Sequence, residues 1–221
     1  MQTIVALWLA AASLCHAASL EFPKGTQEIN APADVASVTA DFEFTNKGKK
    51  PIKIVKSDPG CSCVAVTISN GKFTYQPGES GLIHAKFEMA NFSGTVDKVI
   101  ALWLDDDPAD KPSTVLKLRV NIPVLIALTP KTVKWNLGGA PTPQTIEIKI
   151  IEGQIIHITA AKCSSPEFSC ELKTVAAGRH YQLIVTPSKI GVPGIGVIRI
   201  ESDCPLPRHK IQQAFAVVRK P

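Results

Sequence analysis

From Val38 to Thr45 apolar and polar residues take turns: Val38, Ala40, Phe42 and Phe44 against Thr39, Asp41, Glu43 and Thr45. A period of two puts one set on each side of an extended chain, which predicts a half-buried strand. Asn46-Lys47-Gly48-Lys49-Lys50-Pro51 breaks the pattern with turn residues, and Ile52-Lys53-Ile54 resumes it as a partner strand. After the Gln76-Pro77-Gly78-Glu79 turn, Ile83, Ala85, Phe87 and Met89 alternate with His84, Lys86 and Glu88. Val99 to Leu104 is a continuous apolar run stopped by Asp105-Asp106-Asp107-Pro108, and Leu116, Leu118 and Val120 close the set.

The same order then returns. Ile146 and Ile148 stand at a fixed offset from Phe42 and Phe44, and Ile156 and Ile158 stand at that same offset from Ile52 and Ile54. Tyr181, Leu183 and Val185 follow, then Val197 to Ile200, then Ala214 to Val218. Two copies of about 100 residues, each with roughly seven short strands, predict an all-β chain of two tandem immunoglobulin-like β-sandwich domains. The junction falls near Pro123 to Pro130, without a Gly/Ser-rich tether. The expected division is 1–18 as signal peptide, 19–124 as the first domain and 125–221 as the second.

Composition supports burial: 45% of the residues are hydrophobic and 19% charged, enough for packed cores. The opening MQTIVALWLAAASLCHAAS has an apolar run from Ile4 to Cys15 ending in small residues, the pattern of a secretory signal, although Met1-Gln2-Thr3 lacks the usual basic residue. No later segment reaches the roughly 18 unbroken apolar residues of a membrane helix. The expected location is therefore periplasmic or secreted. A net charge of +5 is spread along the chain, and its densest cluster, Lys47, Lys49 and Lys50, sits in one turn. This argues against nucleic acid as a partner and leaves contact with an anionic cell-surface polymer as an alternative.

Phe42-x-Phe44-Thr45-Asn46-x-Gly48-x-x-Pro51-Ile52-x-Ile54, then Cys61-Ser62-Cys63, then Tyr75-Gln76-Pro77-Gly78-Glu79-Ser80-Gly81, resembles an exported bacterial Cys-x-Cys immunoglobulin-like family of unknown function related to Hydin-type domains. The resemblance covers residues 22–124. It implies a sandwich fold, and by analogy with Hydin-type scaffolds it implies an interaction role rather than catalysis.

Removal of the signal leaves Cys61, Cys63, Cys163, Cys170 and Cys204, an odd number for an exported chain. Cys163 and Cys170 flank a short loop and can be bridged if their Cα atoms come within about 7 Å; alternatively Cys170 is a buried thiol. Chain direction suggests a further bridge, from Cys204 to Cys61 or Cys63, that would lock the two domains together. On an extended strand Cys61 and Cys63 would point the same way, outward, and two such thiolates can hold Cu(I) or share Zn(II). His84 or Met89 would be the nearest extra ligand. A dithiol redox role departs from the usual spacing of two intervening residues at a helix start.

Little points to an enzyme. His84 and His157 read as outward strand residues, Asp105-Asp106-Asp107 lacks the spacing of a calcium loop, and no nucleophile-elbow, zinc-protease or phosphate-loop motif occurs. The expected function is an exported, non-catalytic interaction or scaffold protein without a cofactor, contacting a protein partner. A metal-handling module built on Cys61 and Cys63 is the alternative.

Overall fold

The structure is a computed structural model and describes residues 20–220. The expected signal peptide lies outside the described residues. Nine strands precede residue 123: β1 (Leu20–Glu21), β2 (Thr26–Asn30), β3 (Ser37–Asn46), β4 (Ile52–Asp58), β5 (Val64–Ile68), β6 (Thr74–Tyr75), β7 (Ser80–Glu88), β8 (Gly94–Leu104) and β9 (Thr114–Ile122). Eight follow: β10 (Ile126–Thr129), β11 (Thr132–Asn136), β12 (Gln144–Ile150), β13 (Ile158–Cys163), β14 (Phe168–Ala176), β15 (His180–Pro187), β16 (Gly194–Ser202) and β17 (Ile211–Arg219).

The two sets assemble by one plan. β1-β3-β7-β5 and β2-β9-β8-β4-β6 form two sheets, and β10-β12-β15-β14 and β11-β17-β16-β13 form two more. Position by position the second pair repeats the first, with β6 added at one edge. This is the all-β, immunoglobulin-like sandwich read from the doubled pattern. The repeat offset also holds in burial: Phe42, Phe44, Ile146 and Ile148 are all buried, as are Ile52, Ile54, Ile156 and Ile158. In the second set the chain leaves β10, which pairs antiparallel with β12, and enters β11, which pairs parallel with β17.

The described chain divides into two compact units. The first comprises the residues up to Thr26 with Asp41–Ala85 and Val99–Lys117. Its aromatic centre is Phe44, whose ring lies 5.3 Å from that of Phe22 and meets Tyr75 edge-on at 4.7 Å. Asn46 continues the inward parity of Phe42 and Phe44 and is fully buried. Its side-chain amide donates to the carbonyls of Lys50 and Tyr75, both at 2.9 Å, and its Oδ1 accepts from the Gly48 N–H at 2.8 Å. Its own N–H donates to the Glu79 carbonyl and its carbonyl accepts from Gly78 N–H. One buried asparagine thus closes both turns that carry the conspicuous motif residues. Every polar atom it takes from water is repaid by a partner.

The second unit comprises Gln27–Ala40, Lys86–Lys98 and the chain from Leu118 onward. Its core gathers Ile126, Trp135, Ile146, Ile148, Phe168, Leu183, Ile198 and their neighbours. Trp135 satisfies its indole N–H on the Thr142 carbonyl at 2.7 Å and stacks obliquely on Phe168. Elsewhere in this unit His209, only 4% exposed, places Nε2 3.0 Å from the Ala33 carbonyl. Beside it the Arg208 guanidinium donates to the Phe92 carbonyl, and Asn91 donates to Gln213 at 2.9 Å.

Burial, with the neighbouring Arg208 charge adding to it, holds the His209 imidazole below its ordinary pKa. The sign follows directly. The folded state keeps His209 neutral, whereas the unfolded chain protonates it near the usual pKa of about 6.5. Below that pH the unfolded state binds the extra proton, so stability falls as the solution is acidified from neutrality. The urea midpoint should decrease between pH 7.5 and 5.5, on the order of that histidine range. A His209→Gln variant, which keeps a donor toward Ala33 but cannot titrate, should flatten that decrease. An unchanged slope in the variant would remove His209 as its source.

Candidate functional site

The cysteines dominate the chemistry available to this fold. In both sandwiches a disulfide sits in the connection that carries the chain from one sheet to the other. Between β4 and β5 the chain turns through Pro59 and Gly60, with Gly60 at φ +68° and its N–H held 2.8 Å from Asp58 Oδ1. Cys61 and Cys63 follow at once and are bonded to each other, with Cα atoms 5.3 Å apart. Two residues of extended chain would span about 6.7 Å. The turn draws them from the far limit of the disulfide range to close to its commonest spacing. The expectation that both lie on an extended strand is corrected here: residues 61–63 form a turn ahead of β5, with the Val64 N–H on the Cys61 carbonyl at 3.4 Å, so the parity of a strand does not apply to them.

Cys163, at the end of β13, is bonded to Cys170 in β14 with a Cα separation of 6.1 Å. Both pack against the core of the second unit, and Cys170 lies on the inward side of β14 with Phe168 and Leu172. Cys204 is a free thiol, 1% exposed, inside that core. The bond from Cys204 to Cys61 or Cys63 expected from chain direction is not formed. Each of those two sulfurs is already taken by the other.

A cysteine ligates a metal as its thiolate, and in the bridged state neither Cys61 nor Cys63 offers one. The suggested extra ligands are engaged elsewhere: Met89 is fully buried, and His84 Nδ1 lies 2.6 Å from Asp41 Oδ1. Among the described residues no group of three or more His, Cys, Asp or Glu side chains is arranged to hold a metal ion.

The remaining polar candidates have structural tasks. Asp107 accepts from the Leu104 and Ser113 N–H groups at 2.7 and 3.0 Å, and Asp105 accepts from Lys53 N–H at 3.2 Å. The acidic run therefore caps the β8–β9 loop. His157 pairs with Asp203 at 2.8 Å and His180 with Glu147 at 2.5 Å. The imidazole partners hold both carboxyls below the usual carboxylate range. Each is a solvent-side contact of the kind that contributes little to stability.

The free sheet edges are the other feature with functional reach, and pairing order, not local sequence, defines them. Among the described residues β14 ends its sheet and pairs only with β15. Its first part is tied to β13 by the Cys163–Cys170 bond. Its later residues Lys173 to Ala176 are exposed, with Val175 53% exposed. The register against β15 shifts between Thr174 and Ala176, a bulge of the kind that edge strands carry.

Residues 20–122 match the family model described as a protein of unknown function (DUF1573). No curated relative matches the chain. Among solved structures, the chain is similar to a protein of unknown function from Porphyromonas gingivalis W83, at 12% identity and TM-score 0.36, covering 92% of this chain and 100% of that one. It is similar to the YadV chaperone at 10% identity and TM-score 0.34, covering 90% and 99%. A third likeness is to the ASH/PapD-like domain 7 of human CEP192, at 11% identity and TM-score 0.37, covering 56% and 98%.

Proposed function

We propose that the protein is an exported, non-catalytic interaction module that binds a protein partner by adding a strand to a free sheet edge. Its two sandwich domains are assigned to residues 19–124 and 125–221. The observation that carries this reading is β14: an edge strand from Phe168 to Ala176 whose far half presents unpaired backbone to solvent beside an exposed Val175. Main-chain hydrogen bonds to such an edge supply affinity, and alternate side chains supply selectivity. Glu171 and Lys173, paired at 3.6 Å along the same edge, and the bulge hinder self-association without closing the edge to a matched segment.

The test is amide hydrogen exchange on the full chain, free and in complex with the partner recovered from an envelope extract. Slower exchange over Glu171–Ala176 on binding is the expected result. Protection confined to loops, with β14 unchanged, would refute strand addition there.

A further inference from the structure

The two disulfides sit in equivalent connections but constrain very different things. Cys163–Cys170 joins the end of β13 to the body of β14, two strands belonging to separate sheets. Cys61–Cys63 spans a single residue, Ser62, inside one turn. That turn is already closed by backbone and side-chain contacts: Gly60 N–H to Asp58 Oδ1 at 2.8 Å, and Val64 N–H to the Cys61 carbonyl at 3.4 Å. A cross-link stabilises by excluding open conformations of the chain, and the shortest loop excludes the fewest. The bond therefore does little for the fold. Both cysteines are half-exposed and Ser62 between them is exposed, so an external sulfur can approach.

We propose that Cys61–Cys63 is an exchange-active disulfide that accepts two electrons from an external dithiol, supplied by a partner protein. A thiolate of that dithiol attacks the Sγ of one cysteine. A new S–S bond forms to the partner, the Cys61–Cys63 bond breaks, and the released sulfur leaves as a thiolate that takes up a proton. The partner's second thiol, deprotonated, then attacks its own sulfur in the mixed disulfide and expels the second cysteine. The partner ends as a disulfide, and Cys61 and Cys63 end as two thiols. The glycine turn keeps the reduced pair adjacent, so the same steps run backward against a partner disulfide restore the bridge. The spacing is one residue tighter than the usual redox pair, and the pair sits on a β-turn, not at a helix start. Exchange needs only access and adjacency, and this turn supplies both.

The experiment uses the oxidised full chain. It is incubated with reduced glutathione and separately with dithiothreitol, then acid-quenched, alkylated and mapped by peptide mass spectrometry. Cys61 and Cys63 should become alkylated at least roughly tenfold faster than Cys163 and Cys170, with the fold intact. Incubated with oxidised glutathione, a Cys63→Ser variant should hold one glutathione on Cys61 as a stable mixed disulfide, the other leaving as reduced glutathione. The Cys61→Ser/Cys63→Ser double variant should keep the wild-type urea midpoint. The proposal fails if the two bridges open at the same rate, if Cys61–Cys63 opens only on unfolding, or if the double variant loses stability. None of these outcomes bears on β14, so this inference and the strand-addition reading stand or fall separately.

Discussion

Replacing Asn46 with alanine should destabilise the protein by about 3–4 kcal/mol, read as a lowered urea midpoint of the Trp103 and Trp135 fluorescence transition. The size follows from what is left behind. Asn46 is fully buried and makes three side-chain hydrogen bonds at 2.8 to 2.9 Å. Alanine removes all three, and the Tyr75 carbonyl, itself in the interior, loses a donor that water cannot replace. An unsatisfied buried group costs about 1–3 kcal/mol, more than an intact bond contributes. Asn46→Asp provides the sharper check. At neutral pH its carboxylate would face two carbonyl oxygens without a proton to offer, so it should be at least as damaging as alanine. Its folded-state pKa should rise above the unfolded value, and the deficit should shrink as pH falls through the carboxylate range, where the protonated acid regains one donor. An alanine variant that unfolds at the wild-type midpoint would dismiss Asn46 as the keystone of these turns.

Gly81→Ala should cost about 2–3 kcal/mol, a large effect for a single methyl group. A Cβ built on Gly81 would lie 2.4 Å from Phe44 Cζ and 2.5 Å from Tyr75 Cε1. Neither ring can step aside cheaply. The two are packed edge-on at 4.7 Å, and the Tyr75 hydroxyl is anchored to the Lys72 carbonyl at 2.7 Å. The strain would therefore spread into the backbone of β6 and β7. Gly191 is the matched control: it has no positive φ, and a Cβ there meets nothing within 4 Å. Gly191→Ala should be neutral or slightly stabilising, since it only narrows the unfolded ensemble. Equal effects at the two glycines would contradict the packing account.

These two residues show how legibility in sequence depends on range. The alternation of Phe42, Phe44, Ile146 and Ile148 is a local signal, and the period of two located the sheets and their duplication. Asn46 continues the Phe42–Phe44 parity, and a polar residue at an inward position is itself a sign of a buried network. The turn-forming company of Gly48 and Pro51 masks that sign, because asparagine is also an ordinary turn residue. Val64, Val66 and Ile68 alternate as a strand should, but that parity does not extend back to Cys61 and Cys63, because Cys61–Val64 is itself a turn, with the Val64 N–H on the Cys61 carbonyl. The edge position of β14 was illegible in principle. Whether a strand has one neighbour or two is fixed by the order of the whole sheet: β14 uses one side on its hairpin partner β15, and its bulge and charges mark an edge only once that order is known. The functional reading rests on that non-local property, whereas the fold rests on local ones.

Cys204 gives the molecule a built-in reporter. Among the described residues, two bridges formed between near neighbours in the chain leave this sulfur unbonded, in the buried core that also holds Ile158 and Ile200. In the native state it is inert to alkylating or oxidising reagents because they cannot reach it. Its rate of modification therefore counts how often the second unit opens. Burial of the same sulfur in the folded core keeps it from exchanging with either bridge.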